Sequence, residues 1–405
     1  MGIGAYRSIL GLRDVRRVLA LSLIVRIPMW AGNVVLTLHV VSHLGRSYSA
    51  AGLLVGVATI ALAISGPWRG RRLDRVGLRA TVAPSLVVLA ACWSIAPFVS
   101  YWPLLGLAAL AALFIIPSFS IVRQALIHAV PDELRRSALS IDSVVVEISF
   151  MIGPVLGVLL ATYWNTPWAL LCCEFTSILG GVLLWVANPV LRSSESEQGA
   201  GAPHTGVRSW VTPRAAAVLL ACFAATIVLT GTDVGIVAAL RHMHHQPWIG
   251  WVLAVWGLGS ALGGIVYGAL HRTPPVFVLL AVLSATTIPA ALARDPFTLA
   301  ALLVIAGFCC APTITATVDA LSRAVPERVR GEALGWHGSA LTTGSAAGAP
   351  LAGLAIDRVG WQGGFVLPSI IGLAAAAAGL AATRRRRLPT RAAASAEPYR
   401  ENAHS

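Results

Sequence analysis

The chain has 405 residues, of which 57% are hydrophobic and only 12% charged, with a formal net charge of +13. A soluble domain is roughly 45–50% apolar and about 25% charged, so one aqueous globule is excluded. All 30 basic residues are arginine; they punctuate apolar runs, which makes membrane topology, and not nucleic acid, the reason for the charge.

Apolar runs of about 20 residues, each long enough to cross a hydrocarbon core of roughly 30 Å, predict twelve helices. They lie at 18–43, 50–68, 80–101, 103–127, 138–162, 166–189, 214–240, 247–270, 275–293, 296–321, 332–356 and 361–382. Arg7, Arg13, Arg16 and Arg17 precede the first run as in a secretion signal. The run is too long for a signal core and no small-residue cleavage pattern follows, so it is expected to remain as the first span. With the N-terminus inside, 25 arginines fall in inside segments, Arg26 falls within a span, and only Arg46, Arg241, Arg294 and Arg358 fall outside. By the positive-inside rule, both termini of this multi-pass protein are expected in the cytoplasm, the protein lying in the plasma or bacterial inner membrane.

The longest polar interruption, RSSESEQGAGAPHTGVRSW, reads as a flexible linker. It divides the chain into a six-helix unit at 1–189, a linker at 190–213, a second six-helix unit at 214–382 and a basic cytoplasmic tail at 383–405. The tail run TRRRRLPTR suits anionic headgroups of the bilayer. A shift of 195 residues lays ALIHAVPDELRRSAL (from Ala125) on ALSRAVPERVRGEAL (from Ala320), with Pro117 on Pro312, Pro131 on Pro326, Arg135 on Arg330 and Gly153 on Gly348. Two parallel copies of one unit are therefore expected, with a substrate site between them near the bilayer midplane. The predicted class is an all-α polytopic membrane protein of twelve transmembrane helices in two six-helix bundles.

Cys92, Cys172, Cys173, Cys222, Cys309 and Cys310 all fall in apolar spans without a ligand-like set around them, so neither a disulfide framework nor a metal site is expected. His242, His244 and His245 form a loop cluster with no acid in it. No GxxxxGK[ST] loop is present and lysine is absent, which excludes ATP hydrolysis by this chain. No enzymatic chemistry and no cofactor are expected, and an ion gradient, most simply of protons, remains as the energy source.

RRLDRVG at Arg71–Gly77 and LAIDRVG at Leu354–Gly360 look alike, yet one follows an even and the other an odd span. They lie on opposite faces and fail the 195-residue register, so they are not repeat mates. The first belongs to GRRLDRVGLR, which places Gly70, Asp74, Arg75, Gly77 and Arg79 in a tight turn between the second and third helices. This run resembles the G-x-x-x-D-R-x-G-x-R loop motif of the major facilitator superfamily, at every motif position, and the twelve-span repeat around it extends the resemblance over the whole chain. The resemblance implies alternating access by rocking of the two bundles, and a monomer. It also implies that Asp74 is a latch acid, with Arg75 and Arg79 as loop partners and Arg135 and Arg330 as partners across the bundles. The second half has GALHRTPP in the equivalent loop and lacks the acid, so the latch is expected to be one-sided. In the fifth helix Gly153, Pro154 and Gly157 are similar to the core of the G-x-x-x-G-P-x-x-G-G signature of drug:proton antiporters in that superfamily, although Ser149 and Val158 stand where the signature has glycine.

A charge at mid-bilayer costs roughly 2.5–3.5 kcal/mol on insertion scales, and four residues bear one: Arg26, Glu147, Glu174 and Asp233. Asp142 and Asp319 are placed near helix ends, where water would reach them. Because helices one, four, seven and ten line the cavity in the family it resembles, Asp233 is the first candidate for proton coupling, with Thr230, Gly231 and Thr232 around it. Glu147 is the second, and Glu174, on a helix usually peripheral to the cavity, is a lesser candidate. Arg26 is expected as counter-ion to Asp233 or Glu147, or as a hook for an anionic substrate. The reading favoured by the partial antiporter signature is proton-coupled export of a small amphipathic drug or metabolite. The alternative is a proton-coupled or facilitative importer of a small polar or anionic nutrient.

Overall fold

The computed structural model describes residues 3–46, 48–191, 210–245, 248–270 and 274–385. Most of the linker at 190–213 and of the tail at 383–405, together with Arg272 of the second-half loop, lie outside the described residues. After a short leading helix, Ile3–Gly11, the described residues build twelve helical spans. They are α1 (Arg13–His43), α2 (48–76), α3 (78–98), α4 (Tyr101–Ala129), α5 (Arg135–Tyr163), α6 (Thr166–Ala187), α7 (Pro213–His242), α8 (Ile249–Ala269), α9 (Val276–Leu292), α10 (Pro296–Ala324), α11 (Arg330–Val359) and α12 (Gly363–Arg385). Helices suit this setting because every backbone donor and acceptor is satisfied within the segment, where lipid offers no partner.

Local sequence decides where the helices bend or end. α2 and α3 are two helices joined by a tight turn at Gly77, with φ 79° and ψ 179°, a conformation closed to side chains with a Cβ. α4 is two helices, Tyr101–Leu113 and Ser118–Ala129, parted before Pro117, and α10 is two, Pro296–Gly307 and Cys310–Ala324, with Pro312 just inside the second. Proline has no N–H to donate and disfavours helical geometry in the residue before it, so the repeated prolines leave the same break in both halves. α1 ends in a π-helical turn, His39–His43. Asp295 caps α10, its Oδ1 accepting from the N–H of Phe297 (3.0 Å) and Thr298 (2.9 Å). The Thr298 hydroxyl, then these backbone donors, hold its carboxyl below the usual carboxylate range.

The apolar cores divide with the chain. One gathers Val35, Leu54, Leu104 and Leu170 in the first half, another Ala225, Leu280 and Leu283 in the second. A small cluster of Ile127, Leu139, Val318 and Leu334 joins the halves, and Leu139 and Leu334 are mates in the 195-residue register. Below, the face carrying the α2–α3 turn is called the terminal face. Among the described residues, the polar contacts joining the bundles lie in the half of the molecule next to it. Arg136 Nη1 donates to the Leu270 carbonyl (2.7 Å), the Ser339 hydroxyl to the Ala63 carbonyl (2.6 Å), and the Ser143 and Thr315 hydroxyls bond at 2.7 Å. There α2 and α11 cross in near backbone contact: a Cβ on Gly66 would stand 2.7 Å from the Gly335 carbonyl, and one on Gly70 would strike the carbonyl of Gly331. The terminal face is closed.

Candidate functional site

α5 carries two acids five residues apart, about one and a half turns, and they meet opposite surroundings. Asp142 faces into the first bundle. Its Oδ1 lies 2.6 Å from Arg26 Nη1 of α1 and its Oδ2 lies 3.3 Å from Arg123 Nε of α4. The Phe119 ring covers both cations, at 4.5 Å from the Arg26 guanidinium carbon and 5.6 Å from that of Arg123. All three side chains are buried. Two arginines on one carboxylate leave a formal excess of one positive charge, and Arg26 Nε and Nη2 are buried without a hydrogen-bond partner.

This overturns two expectations. Asp142 is not solvated at a helix end but closed off among three helices, and Arg26 is counter-ion to Asp142 rather than to Asp233 or Glu147. Arg123, counted from the sequence as a topology-setting arginine, is likewise interior. A signal was present in the sequence: Arg123 lies six residues before α4 ends at Ala129, and Asp142 seven after α5 begins at Arg135. Opposite charges at equal depth on adjacent helices can pair, and pairing is what makes burial of either tolerable.

Glu147 faces the second bundle. Its Oε1 accepts a hydrogen bond from the Ser260 hydroxyl of α8 at 2.8 Å, and Asp233 of α7 lies within its electrostatic reach. Cys310 of α10 feels both carboxylates. Among the described residues neither acid has a basic partner at salt-bridge distance. Beside Asp233, the Thr230 hydroxyl donates to that of Ser345 at 3.0 Å. Glu147 and Asp233, one from each bundle, thus lie within electrostatic reach of each other. Glu174 is elsewhere, its carboxylate packed on Gly32 between α6 and α1.

The helix-five signature fits α5 against α1. A Cβ on Gly153 would stand 2.5 Å from Trp30 Cβ, and one on Gly157 2.7 Å from the Ala31 carbonyl. Pro154 sits inside a continuous helix. Trp30, held at this contact, stands edge-on to Phe150 with centroids 5.0 Å apart.

Asp74 reaches across the bundles. Its Oδ1 accepts from the Gly331 N–H (2.9 Å) and its Oδ2 from the Glu332 N–H (2.6 Å), the second and third residues of α11, whose donors have no partner within the helix. Arg330 interacts with it electrostatically. The other expected partners turn elsewhere. Arg135 pairs through Nε with Asp319 of α10 (3.5 Å) and through Nη1 with Asp132 (3.8 Å), so it joins the bundles through Asp319. Arg79 donates to the Trp185 carbonyl of α6 (3.5 Å), and Arg75 is exposed. Missed in the sequence was Arg71, which bonds Glu332 Oε1 at 2.8 Å. Among the described residues no group of three or more His, Cys, Asp and Glu is placed to hold a metal ion.

Solved structures share this architecture. A human organic anion transporter, MFSD10 (TETRAN), superposes with TM-score 0.69 at 17% identity, over 90% of this chain and 99% of its own. A bacterial homologue of the iron transporter ferroportin, outward-facing, gives 0.71 at 13%, over 92% and 99%. The E. coli fucose:proton symporter FucP gives 0.70 at 13%, over 91% and 99%. These identities speak for the fold alone. No curated protein matches. The family profile described as Major Facilitator Superfamily matches residues 18–247 and 234–403, and with the two-bundle fold it establishes that the chain belongs to the Major Facilitator Superfamily, a family of membrane transporters of small molecules.

Proposed function

We propose that this transporter exports a small amphipathic molecule in exchange for protons, and that Glu147 and Asp233 carry the exchange. The observation that carries the reading is the pair itself: two carboxylates from opposite bundles, within electrostatic reach of each other and, among the described residues, without a basic partner at salt-bridge distance. Such a pair holds at most one charge comfortably and gains from a proton or a cationic guest. Trp30 and Phe150, on α1 and α5, suit the apolar part of such a guest. The alternative, import of an anionic nutrient on Arg26, has less support because Asp142 occupies that guanidinium. In this reading the protein is a monomer in the plasma membrane with both termini in the cytoplasm, units at 1–189 and 214–382 rock as bodies, and the closed terminal face makes this the outward-facing state. Asp74 then acts as the latch of that state.

The test uses inside-out vesicles with an acid interior and a lumenal pH dye, challenged with lipophilic cations, neutral antibiotics and organic anions. Some compound is expected to release protons through the wild type and not through Asp233→Asn. If no compound moves protons while one accumulates in expressing cells regardless of pH, export gives way to facilitated import.

A further inference from the structure

The Arg26–Asp142–Arg123 cluster does not end inside the first bundle. Arg123 Nη1 lies 3.4 Å from His337 Nδ1 of α11, and the far nitrogen of that ring, Nε2, lies 2.8 Å from Thr317 Oγ1 of α10 and 3.4 Å from Cys222 Sγ of α7. Arginine can only donate, so Nδ1 must carry a lone pair. Thr317 gives its own proton to the Ile314 carbonyl at 2.7 Å, so its oxygen is free to accept from Nε2–H. The two contacts together select a neutral imidazole with its proton on Nε2. A second proton, on Nδ1, would set two donors and two positive charges face to face.

The groups around the ring leave little to offset that conflict. α4 presents Arg123, the charged group that acts on the ring. α5 presents Asp142, on the far side of Arg123 and already shared with Arg26 of α1. α10 and α7 present the neutral Thr317 and Cys222. His337 is fully buried, so water does not screen the repulsion. The repeat explains why the ring is here: a shift of 195 residues lays Asp142 on His337. The two mates approach Arg123 from the two bundles, one as a carboxylate and the other as a neutral acceptor.

We propose that His337 is a proton-sensitive bolt of the terminal face: neutral, it ties Arg123 of the first bundle to Thr317 and Cys222 of the second, and its protonation releases that tie. The closed state binds one proton fewer at His337 than the open state, in which the ring is freed from Arg123. Acid therefore favours opening, below the ordinary histidine range of about 6.5, and the open-to-closed ratio rises by up to about tenfold per pH unit there. This site is separate from the Glu147–Asp233 pair.

The test needs no substrate, so its outcome is independent of the antiport reading. Spin labels at His128→Cys and Arg328→Cys, two exposed positions on the terminal face in opposite bundles, report its opening as a distance distribution in the full-length protein in lipid nanodiscs. A control without the introduced pair removes signal from the native cysteines. Between pH 8 and pH 5 the wild type is expected to gain a long-distance population. His337→Asn, whose carbonyl still accepts from Arg123 but does not titrate, is expected to lose that response and stay closed. The proposal fails if His337→Asn opens with acid as the wild type does, or if the wild type does not respond. Should the variant not elute as folded protein, nitrogen-15 NMR of histidine-labelled wild type decides: a neutral Nε2–H form of His337 at pH 7.5 supports the bolt, and a proton on Nδ1 overturns it.

Discussion

The two halves of the chain share a backbone plan and differ in where charge is buried. Where the first half has Arg123, Asp142 and Glu147, the repeat register puts Val318, His337 and Thr342 in the second. The first bundle thus owns a set of three paired charges, Arg26, Asp142 and Arg123, in which one carboxylate is shared by two arginines. The second contributes single groups to the interface, His337 and Asp233, that have no salt-bridge partner among the described residues. A duplicated fold with unduplicated charge gives a set of paired charges inside the first bundle and, at its seam with the second, single groups that we propose respond to protons. That asymmetry is where the protein departs from its own repeat, and departures of this kind are where function is to be sought.

The largest expected effect tests the rigid side of the comparison. Asp142→Asn leaves Arg26 and Arg123 buried without a counter-charge, and stripping one partner from a buried ion pair costs about 3–5 kcal/mol. Thermal unfolding in detergent should show a large loss for Asp142→Asn and a change of under about 1 kcal/mol for Asp233→Asn, which removes an acid that has no cation to leave behind. Equal losses in both would erase the distinction between a structural and a responsive cluster.

The helical spans were legible because lipid imposes a length and an apolarity on every crossing segment. The turn that carries Asp74 was legible because GRRLDRVGLR is local and Gly77 must adopt a positive φ. What could not be read was pairing at a distance. Asp142 was placed in water because it lies near a helix start, and only the packing of α1 and α4 over it reveals burial. Arg71 and Glu332 lie in opposite halves, and nothing in either segment names the other. His337 carried no sequence signal except the register that makes it the mate of Asp142, since a lone histidine in an apolar helix is ordinary.

The next tests weaken the closed face in steps, with the same spin-label pair as readout. Gly70→Ala forces a methyl onto the Gly331 carbonyl where α2 crosses α11. Overpacking of this kind costs about 1–3 kcal/mol, enough to raise the open-to-closed ratio about 5- to 150-fold, and an unchanged distribution would mean that this crossing is not what holds the face shut. Asp74→Asn keeps shape but replaces a carboxylate that accepts from two N–H groups at the start of α11. Loss of such a cap, with its favourable place at the positive end of the helix dipole, is worth about 1–2 kcal/mol, so opening should rise about tenfold. No opening would remove Asp74 from the latch.

The smallest effect is expected at Arg71, and it bears on whether the one-sided latch is a matter of charge count or of geometry. Arg71 and Glu332 join the bundles at 2.8 Å, but the arginine side chain is 40% exposed, and ion pairs open to water contribute about 0.2–1 kcal/mol. Glu332 is not stranded when Arg71 is lost, because it stands in the first turn of α11, where a negative charge is favoured by the helix N-terminus. Arg71→Gln should therefore raise the open fraction no more than about fivefold, and added salt should shrink the difference. An effect as large as that of Asp74→Asn would show that the latch counts charges at the face; a small one shows that it works through the two backbone N–H groups that Asp74 accepts from.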